Sequence, residues 1–118
     1  MAGTVLVVDD DVSTAEMIQE VLEMEGYRVV RAVDGESLGV ALREQPHLIL
    51  LDINMPGMDG PEIARGLRVE PATTRIPIVV MSSHVARGTI PPEMPHDDRL
   101  SKPFVLDALV ATVARWVR

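Results

Sequence analysis

VLVVDDD, residues 5–11, is a run of four apolar residues that ends at three consecutive aspartates. A short, continuous and mainly β-branched apolar run is typical of a strand that is buried on both faces. Similar runs follow at Tyr27–Ala32, Leu48–Leu51 and Ile78–Met81, and apolar residues at helical spacing lie between them and near the end of the chain. This alternation predicts a parallel sheet with helices packed on both of its faces.

Local signals predict where the first helix begins and ends. Ser13 and Thr14 offer hydroxyl groups for its N-cap, and Glu16, three residues after Ser13, completes a capping box. Gly26 predicts the end of the same helix, because glycine adopts the backbone conformation that commonly closes a helix.

The length and composition of the chain limit the classes of protein to which it can belong. The chain has 118 residues, 18 acidic and 11 basic side chains, a formal net charge of −7 and no cysteine. This length predicts one domain, residues 1–118, and the lack of cysteine excludes thiol catalysis, thiol redox chemistry and Cys-ligated zinc. The acidic balance argues against direct binding to nucleic acid, and no stretch has the length and apolarity of a membrane span, so we expect a cytoplasmic protein. The methionines of the first helix, Met17 and Met24, are interpreted mainly as core filling.

One stretch interrupts the alternation of strands and helices. Ser83–Arg99 contains Gly88, Pro91, Pro92 and Pro95 and has almost no apolar periodicity. Because proline lacks an N–H donor and clashes with the preceding turn, we expect the fourth helix of the fold to be short or missing.

Polar side chains follow the predicted strands where each strand ends. Asp9 and Asp10 end the first strand, Asp52 the third and Ser82 the fourth, while Lys102 precedes the last helix. In open α/β sheets, ligands bind at the carboxyl ends of the strands, so we expect these side chains to converge there.

Three neighbouring carboxylates repel one another unless a cation lies among them, and oxygen ligands of this type suit Mg²⁺. With the Ser82 hydroxyl and the ammonium of Lys102, the only lysine in the chain, they form a set suited to phosphoryl transfer. Plainer interpretations stay open for each residue alone. Asp10 or Asp11 can cap the first helix, and an aspartate can form an ordinary salt bridge with Lys102.

Four motifs together resemble the response-regulator receiver family. They are VLVVDDD at residues 5–11, LDINMPGMDG at 51–60, PIVVMSS at 77–83 and SKPF at 101–104, and with their order and spacing they cover essentially the whole chain. The resemblance implies a single flavodoxin-like, doubly wound α/β domain whose five parallel strands lie in the order 2-1-3-4-5.

The resemblance also implies a phosphoacceptor and a metal site. Asp52 matches the residue that takes a phosphoryl group from the phosphohistidine of a histidine kinase or a histidine phosphotransfer protein. Asp10 and Asp52 match carboxylate ligands of Mg²⁺, the Asn54 backbone carbonyl matches a third ligand, and Asp9 is expected to act on the metal through a water molecule. A downstream effector protein is the expected second partner.

Further residues match supporting roles in the family. Ser82 matches a hydroxyl that meets the phosphoryl group, and Lys102 matches a cation that pairs with the acceptor and then with the phosphate. The resemblance makes Lys102–Pro103 a candidate cis bond. Gly57 and Gly60, in the loop after Asp52, suit positive φ angles.

Two features depart from the family pattern. Arg99 stands where the family has an aromatic switch residue, three positions before Lys102, and the Pro-rich stretch stands where a helix is expected. We therefore hypothesise that phosphorylation reorders residues 83–99. A second hypothesis is that His84 alters the lifetime of the aspartyl phosphate with pH, although a solvated loop histidine is the simpler interpretation.

Rival functions remain at this point. The first alternative is a pseudo-receiver that acts only as a protein-interaction module. The second is a Mg²⁺-dependent aspartyl phosphohydrolase, which is disfavoured because Asn54 stands where such an enzyme has its acid/base carboxylate. An FMN-binding flavodoxin is disfavoured by the lack of a Ser/Thr/Gly-rich phosphate loop after the first strand. We expect a signalling switch that catalyses only its own phosphorylation and dephosphorylation, and not an enzyme that turns over a metabolite.

Overall fold

Five parallel strands form one sheet in the order β2-β1-β3-β4-β5, as the family resemblance implies. The computed structural model describes residues 3–53, 55, 57–83, 94–102 and 105–117. The elements within these ranges, in chain order, are β1 (Thr4–Val8), α1 (Val12–Met24), β2 (Arg28–Ala32), α2 (Gly35–Leu42), β3 (Leu48–Asp52), α3 (Gly60–Val69), β4 (Ile78–Ser83), β5 (Asp98–Lys102) and α4 (Leu106–Trp116). The α/β fold predicted from the alternating apolar runs is confirmed.

The core forms two layers, because side chains alternate along each strand. In the first layer, Val5, Val7 and Leu50 pack with residues of α1 and α4. In the second layer, Leu6 and Leu51 pack with residues of α2 and α3. Every residue of β1 and β3 is buried, so the centre of the sheet is covered on both faces.

The predicted cap of α1 is wrong by two residues. The N-cap is Asp11, whose carboxylate accepts hydrogen bonds from the Ser13 N–H at 3.2 Å and the Thr14 hydroxyl at 2.6 Å. Since the helix begins at Val12, Ser13 and Thr14 already lie in its first turn. The plainer interpretation of Asp11 as a helix cap is therefore confirmed.

The interpretation of the α1 methionines as core filling is also wrong. Met17 is 37% exposed and Met24 is 86% exposed, whereas Ala15, Ile18 and Leu22 form the buried face of the helix. The methionines lie to the side of this face and leave apolar surface in contact with solvent.

The predicted positive φ angles of Gly57 and Gly60 are not found. Among the described residues, positive φ occurs at Gly26, where it is 96°, and at Gln45, where it is 55°. Gly26 thus closes α1 as expected. The region of the helix predicted to be short or missing falls on residues 84–93, which lie outside the described ranges, and the described part of the chain contains no helix long and apolar enough to cross a membrane.

Candidate functional site

The strand register brings the predicted site residues to one edge of the sheet. Val8 pairs with Leu51, so Asp9 follows β1 directly beside Asp52 at the end of β3. Asp52 pairs with Met81, which places Ser82 one residue further along the neighbouring strand. Ser83 pairs with Lys102 at the end of β5. Four strands therefore deliver polar groups to the same edge, as the sequence predicts.

Lys102 joins two buried carboxylates from different strands. Its Nζ donates a hydrogen bond to Asp9 Oδ2 at 2.7 Å and lies 3.3 Å from Asp52 Oδ2. Asp9 and Asp52 are both buried, and the Lys102 side chain is 21% exposed. Contacts with two carboxylates at once go beyond the single ordinary salt bridge that remained an alternative for this residue.

The electrostatics of the site keep Lys102 charged. Burial by itself would lower the pKa of the ammonium, but the hydrogen bond to Asp9 and the charge of Asp52 outweigh this effect. The pKa of Lys102 is consequently raised above the ordinary lysine value. At neutral pH the site holds a permanent positive charge between Asp9 and Asp52.

The loop after β1 fixes the orientation of Asp9. Its second oxygen, Oδ1, accepts a hydrogen bond from the Asp11 N–H at 2.9 Å, and its own N–H donates to the Ala32 carbonyl at 3.1 Å. Asp11 in turn caps α1. Both carboxylate oxygens of Asp9 therefore already accept hydrogen bonds from the protein.

Three carboxylates at this edge could hold a cation. Asp9, Asp10 and Asp52 each offer a ligand oxygen, and these oxygens lie within 4.8 Å of one another, with Asp10 exposed to solvent. Three negative charges against the one positive charge of Lys102 leave a formal excess of two negative charges. Hard oxygen donors with this excess charge suit a divalent cation such as Mg²⁺.

Gly60 supports the Asp52 loop through its size. A Cβ at this position would lie 3.1 Å from Ile53 Cα and 3.6 Å from the Asp52 carbonyl oxygen, so a larger residue would require the backbone at Ile53 or the start of α3 to shift by a few tenths of an ångström. Sequence reasoning singled out Gly60 for its φ angle and missed this packing role. The Asp-Gly pair before a predicted helix was the available signal, but the contact itself is non-local.

Some of the other residues singled out from the sequence lie in the described part of the chain, and others lie outside it. Ser82 is buried, and Arg99 is exposed on β5. The predictions for Asn54, His84 and the Lys102–Pro103 peptide bond involve residues outside the described ranges.

The similarity of the chain to known proteins extends over almost its whole length. A family model for the response regulator receiver domain matches residues 5–114. The transcriptional regulatory protein PrrA of Mycobacterium tuberculosis is 41% identical over 117 residues, which cover 97% of this chain and 49% of PrrA. The chain spans about half or less of the length of the first curated relatives it matches.

Two solved structures illustrate the similarity of the fold. The chemotaxis response regulator CheY4 of Vibrio cholerae matches with a TM-score of 0.85 and 29% identity, over 98% of each chain. The receiver domain of the sensor histidine kinase PA1611 from Pseudomonas aeruginosa matches with a TM-score of 0.86 and 28% identity, also over 98% of each chain. That receiver domain was crystallised with a magnesium ion coordinated in its active site cleft.

Proposed function

This chain belongs to the response regulator receiver domain family, and on that premise we propose that it is a phosphoacceptor switch of a two-component phosphorelay. Asp52 accepts a phosphoryl group from the phosphohistidine of a histidine kinase or a histidine phosphotransfer protein, and the phosphorylated chain then binds a downstream effector protein differently. The observation that carries this proposal is the contact of Lys102 Nζ with both Asp9 and Asp52 beside a third carboxylate.

In the proposed reaction, Asp52 is the nucleophile. A carboxylate oxygen of Asp52 forms a bond to phosphorus, the bond between phosphorus and the donor imidazole nitrogen breaks, and its electron pair stays on the imidazole. Lys102, 3.3 Å from Asp52, holds the carboxylate before transfer and pairs with a phosphoryl oxygen afterwards. The Ser82 hydroxyl, at the end of the adjacent strand, donates a hydrogen bond to another phosphoryl oxygen.

We assign the Mg²⁺ ligands to Asp10, Asp52 and the Asn54 backbone carbonyl, with Asp9 acting through a water molecule. The donor set supports this division, because both oxygens of Asp9 already accept hydrogen bonds whereas Asp10 is exposed. When bound, Mg²⁺ supplies positive charge that offsets the carboxylates and the phosphoryl oxygens.

We propose α1 as the docking surface for the phosphodonor protein. Val12, Met17 and Met24 expose apolar side chains along this helix, and the helix follows directly from the Asp9–Asp11 turn. α1 contains the acidic residues Glu16, Glu20 and Glu23 and no basic residue, so it suits a partner with an apolar and basic helix face. The net charge of −7 disfavours direct contact between this chain and nucleic acid.

Acetyl phosphate tests the proposal without any knowledge of the partner kinase. Incubation with acetyl phosphate and Mg²⁺ should add one phosphoryl group to the intact mass of the chain, and Asp52→Asn should abolish the gain. Asp34→Asn is the matched control, since Asp34 also follows a strand at this edge and asparagine caps a helix equally well. Addition of EDTA should prevent the gain in the wild type.

Three outcomes would contradict the proposal. A wild-type chain whose mass stays unchanged in acetyl phosphate and Mg²⁺ would favour the pseudo-receiver. An undiminished gain in Asp52→Asn would place the modification on another residue. Rapid release of inorganic phosphate from phosphate monoesters would instead indicate a phosphohydrolase.

A further inference from the structure

A groove lies between α2 and α3, on the side of the sheet that the second core layer covers. Both helices lead from one parallel strand to the next, so they run in the same direction, and both contribute residues to that layer. The groove has a volume of about 790 Å³ and is lined in part by Leu38, Leu42 and Ile63, which are only partly buried. Val69 also lines it and is 78% exposed. This concave apolar surface is separate from the candidate site at the strand ends.

Two glycines in the interiors of the helices widen the groove. Gly39 of α2 and Gly66 of α3 line it, and a Cβ at either position would meet no atom within 4 Å. Neither glycine has a positive φ, so neither the backbone conformation nor the packing of the described residues requires it. Glycine is also less favourable than alanine inside a helix. The two glycines provide room for a second molecule to approach both helices closely.

The two sides of the groove carry opposite charges at the same end. Arg43 is the C-cap residue of α2, Glu70 is the C-cap residue of α3, and both line the groove. Both are exposed, and neither forms an ion pair with any residue that the structure describes. Each follows the glycine of its own helix by four residues, which is about one turn. The groove therefore has a positive side and a negative side, each available to a charge on another molecule.

We propose that a second copy of this chain binds at the groove, about a two-fold axis that runs along it. Such an axis sets α2 of each copy against α3 of the other, so Arg43 of one copy meets Glu70 of the other twice in the same dimer. Gly39 and Gly66 meet in the same way, one turn further along, and let the two helices approach closely. Val69 then packs into the groove of the opposite copy. A two-fold interface must be complementary to itself, and opposite charges on the two sides of one groove meet that requirement.

Sedimentation equilibrium of the unphosphorylated chain tests the proposal. Two short helices bury less surface than a standard interface, so we expect a reversible dimer that forms between about 10 μM and about 1 mM protein. Arg43→Glu and Glu70→Arg should each weaken the dimer by roughly 10-fold or more, because two attractive pairs become repulsive. The matched control is Arg99→Glu, which changes the net charge as Arg43→Glu does but lies on β5, at one edge of the sheet.

A mixture of the two charge variants provides the sharpest test. Each variant alone brings like charges together at both contacts. One copy of Arg43→Glu and one copy of Glu70→Arg instead bring opposite charges together at both contacts, so an equimolar mixture should associate as tightly as the wild type. Because mixing cannot repair a folding defect, this recovery separates the contact from a structural effect.

Gly39→Leu tests the close approach of the helices. The leucine side chain should fill the space that the second copy needs, so the dimer should be lost. The melting temperature at low protein concentration should not fall, since a Cβ at this position meets no atom within 4 Å. Gly35→Leu is the control, because Gly35 also has open space beside it and does not line the groove.

Three outcomes would overturn the proposed dimer. A wild type that stays monomeric up to about 1 mM would point to an occupant of the groove other than this chain. Equal weakening by Arg43→Glu and Arg99→Glu would place any self-association elsewhere, and a mixture of the charge variants that does not associate would exclude the paired contacts. Self-association does not depend on the phosphoacceptor, so each of these results leaves the proposed function intact.

Discussion

The two edges of the sheet both hold ion pairs, but the pairs differ in charge balance. At the edge where β4 and β5 begin, Arg68 pairs with Asp97, whose carboxylate also accepts the Ile78 N–H at 2.8 Å. The same two residues also form a backbone hydrogen bond, from the Asp97 N–H to the Ile78 carbonyl at 2.8 Å. At the edge where the strands end, Lys102 contacts Asp9 and Asp52, and Asp10 lies beside them as a third carboxylate.

This difference distinguishes a structural ion pair from a site that binds a ligand. One cation for one anion, with the same Asp97 oxygen also accepting a backbone N–H, leaves no requirement for a further charge. Two carboxylates without a compensating positive charge repel each other in the free protein, and a bound cation relieves this repulsion. Removal of an acid should therefore have opposite effects on stability at the two edges.

The largest expected effect on stability concerns the edge where β4 and β5 begin. We call it the balanced edge, because Arg68 and Asp97 offset each other in charge there. Asp97→Ala removes the partner of Arg68 and leaves the N–H of buried Ile78 without its acceptor, so we expect a loss of about 2 kcal/mol in the free energy of unfolding. Urea denaturation followed by circular dichroism measures this loss. Asp97→Asn should lose less, because an amide oxygen still accepts the Ile78 N–H. Equal stability of Asp97→Ala and wild type would show that this pair contributes nothing.

At the edge where the strands end, the unbalanced edge, carboxylates outnumber the single cation. Removal of an acid there should raise the free energy of unfolding. Asp10→Asn removes one of three mutually repelling carboxylates, and we expect the free energy of unfolding without Mg²⁺ to rise by about 0.5–1 kcal/mol, a value reduced by the exposure of Asp10. Saturating Mg²⁺ should stabilise the wild type, by mass action on the folded state, and should barely stabilise the variant. Thermal denaturation with and without Mg²⁺ measures both effects.

Glu20→Gln is the control for Asp10→Asn. Glu20 is an exposed acid on α1, so its substitution relieves the general repulsion of a chain with net charge −7 without touching the site. An equal gain in stability for both variants would attribute the effect to net charge. A variant Asp10→Asn that retains the full response to Mg²⁺ would remove Asp10 from the metal site.

The sequence predicts most of this arrangement because strand ends are local features. An apolar run that stops at Asp9 or Asp52 locates both the strand and the group at its end, and parallel strands bring such groups to one edge. The order of the strands followed from the family resemblance, since alternation alone leaves several orders open. The convergence on Lys102 was predicted in the same way, but not its simultaneous contact with two carboxylates.

The wrong predictions concern features that depend on contacts between distant parts of the chain or on the orientation of a helix, which the local sequence does not determine. Asp11, Ser13 and Thr14 all favour an N-cap, and only the position of α1 against the sheet selects Asp11. Gly60 packs closely against the Ile53 backbone, a contact that depends on how α3 meets the end of β3. Met17 was misinterpreted for a different reason, because its position next to Ile18 turns it away from the buried face of α1.

Asp98 provides the smallest effect, again at the balanced edge. Its carboxylate accepts hydrogen bonds from Trp116 Nε1 at 2.9 Å and Arg115 at 3.0 Å, and the indole bond in particular holds the pKa of Asp98 below the ordinary value of 3.8. A lowered carboxyl pKa stabilises the folded state above the unfolded pKa, and this contribution disappears as the pH falls through the folded value. Since Trp116 is the only tryptophan, its fluorescence should change in a step below pH 3.8 while circular dichroism still reports a folded chain. Asp98→Asn should lack the step, and a wild-type step centred above 3.8 would mean that the indole contact does not favour the ionised carboxylate.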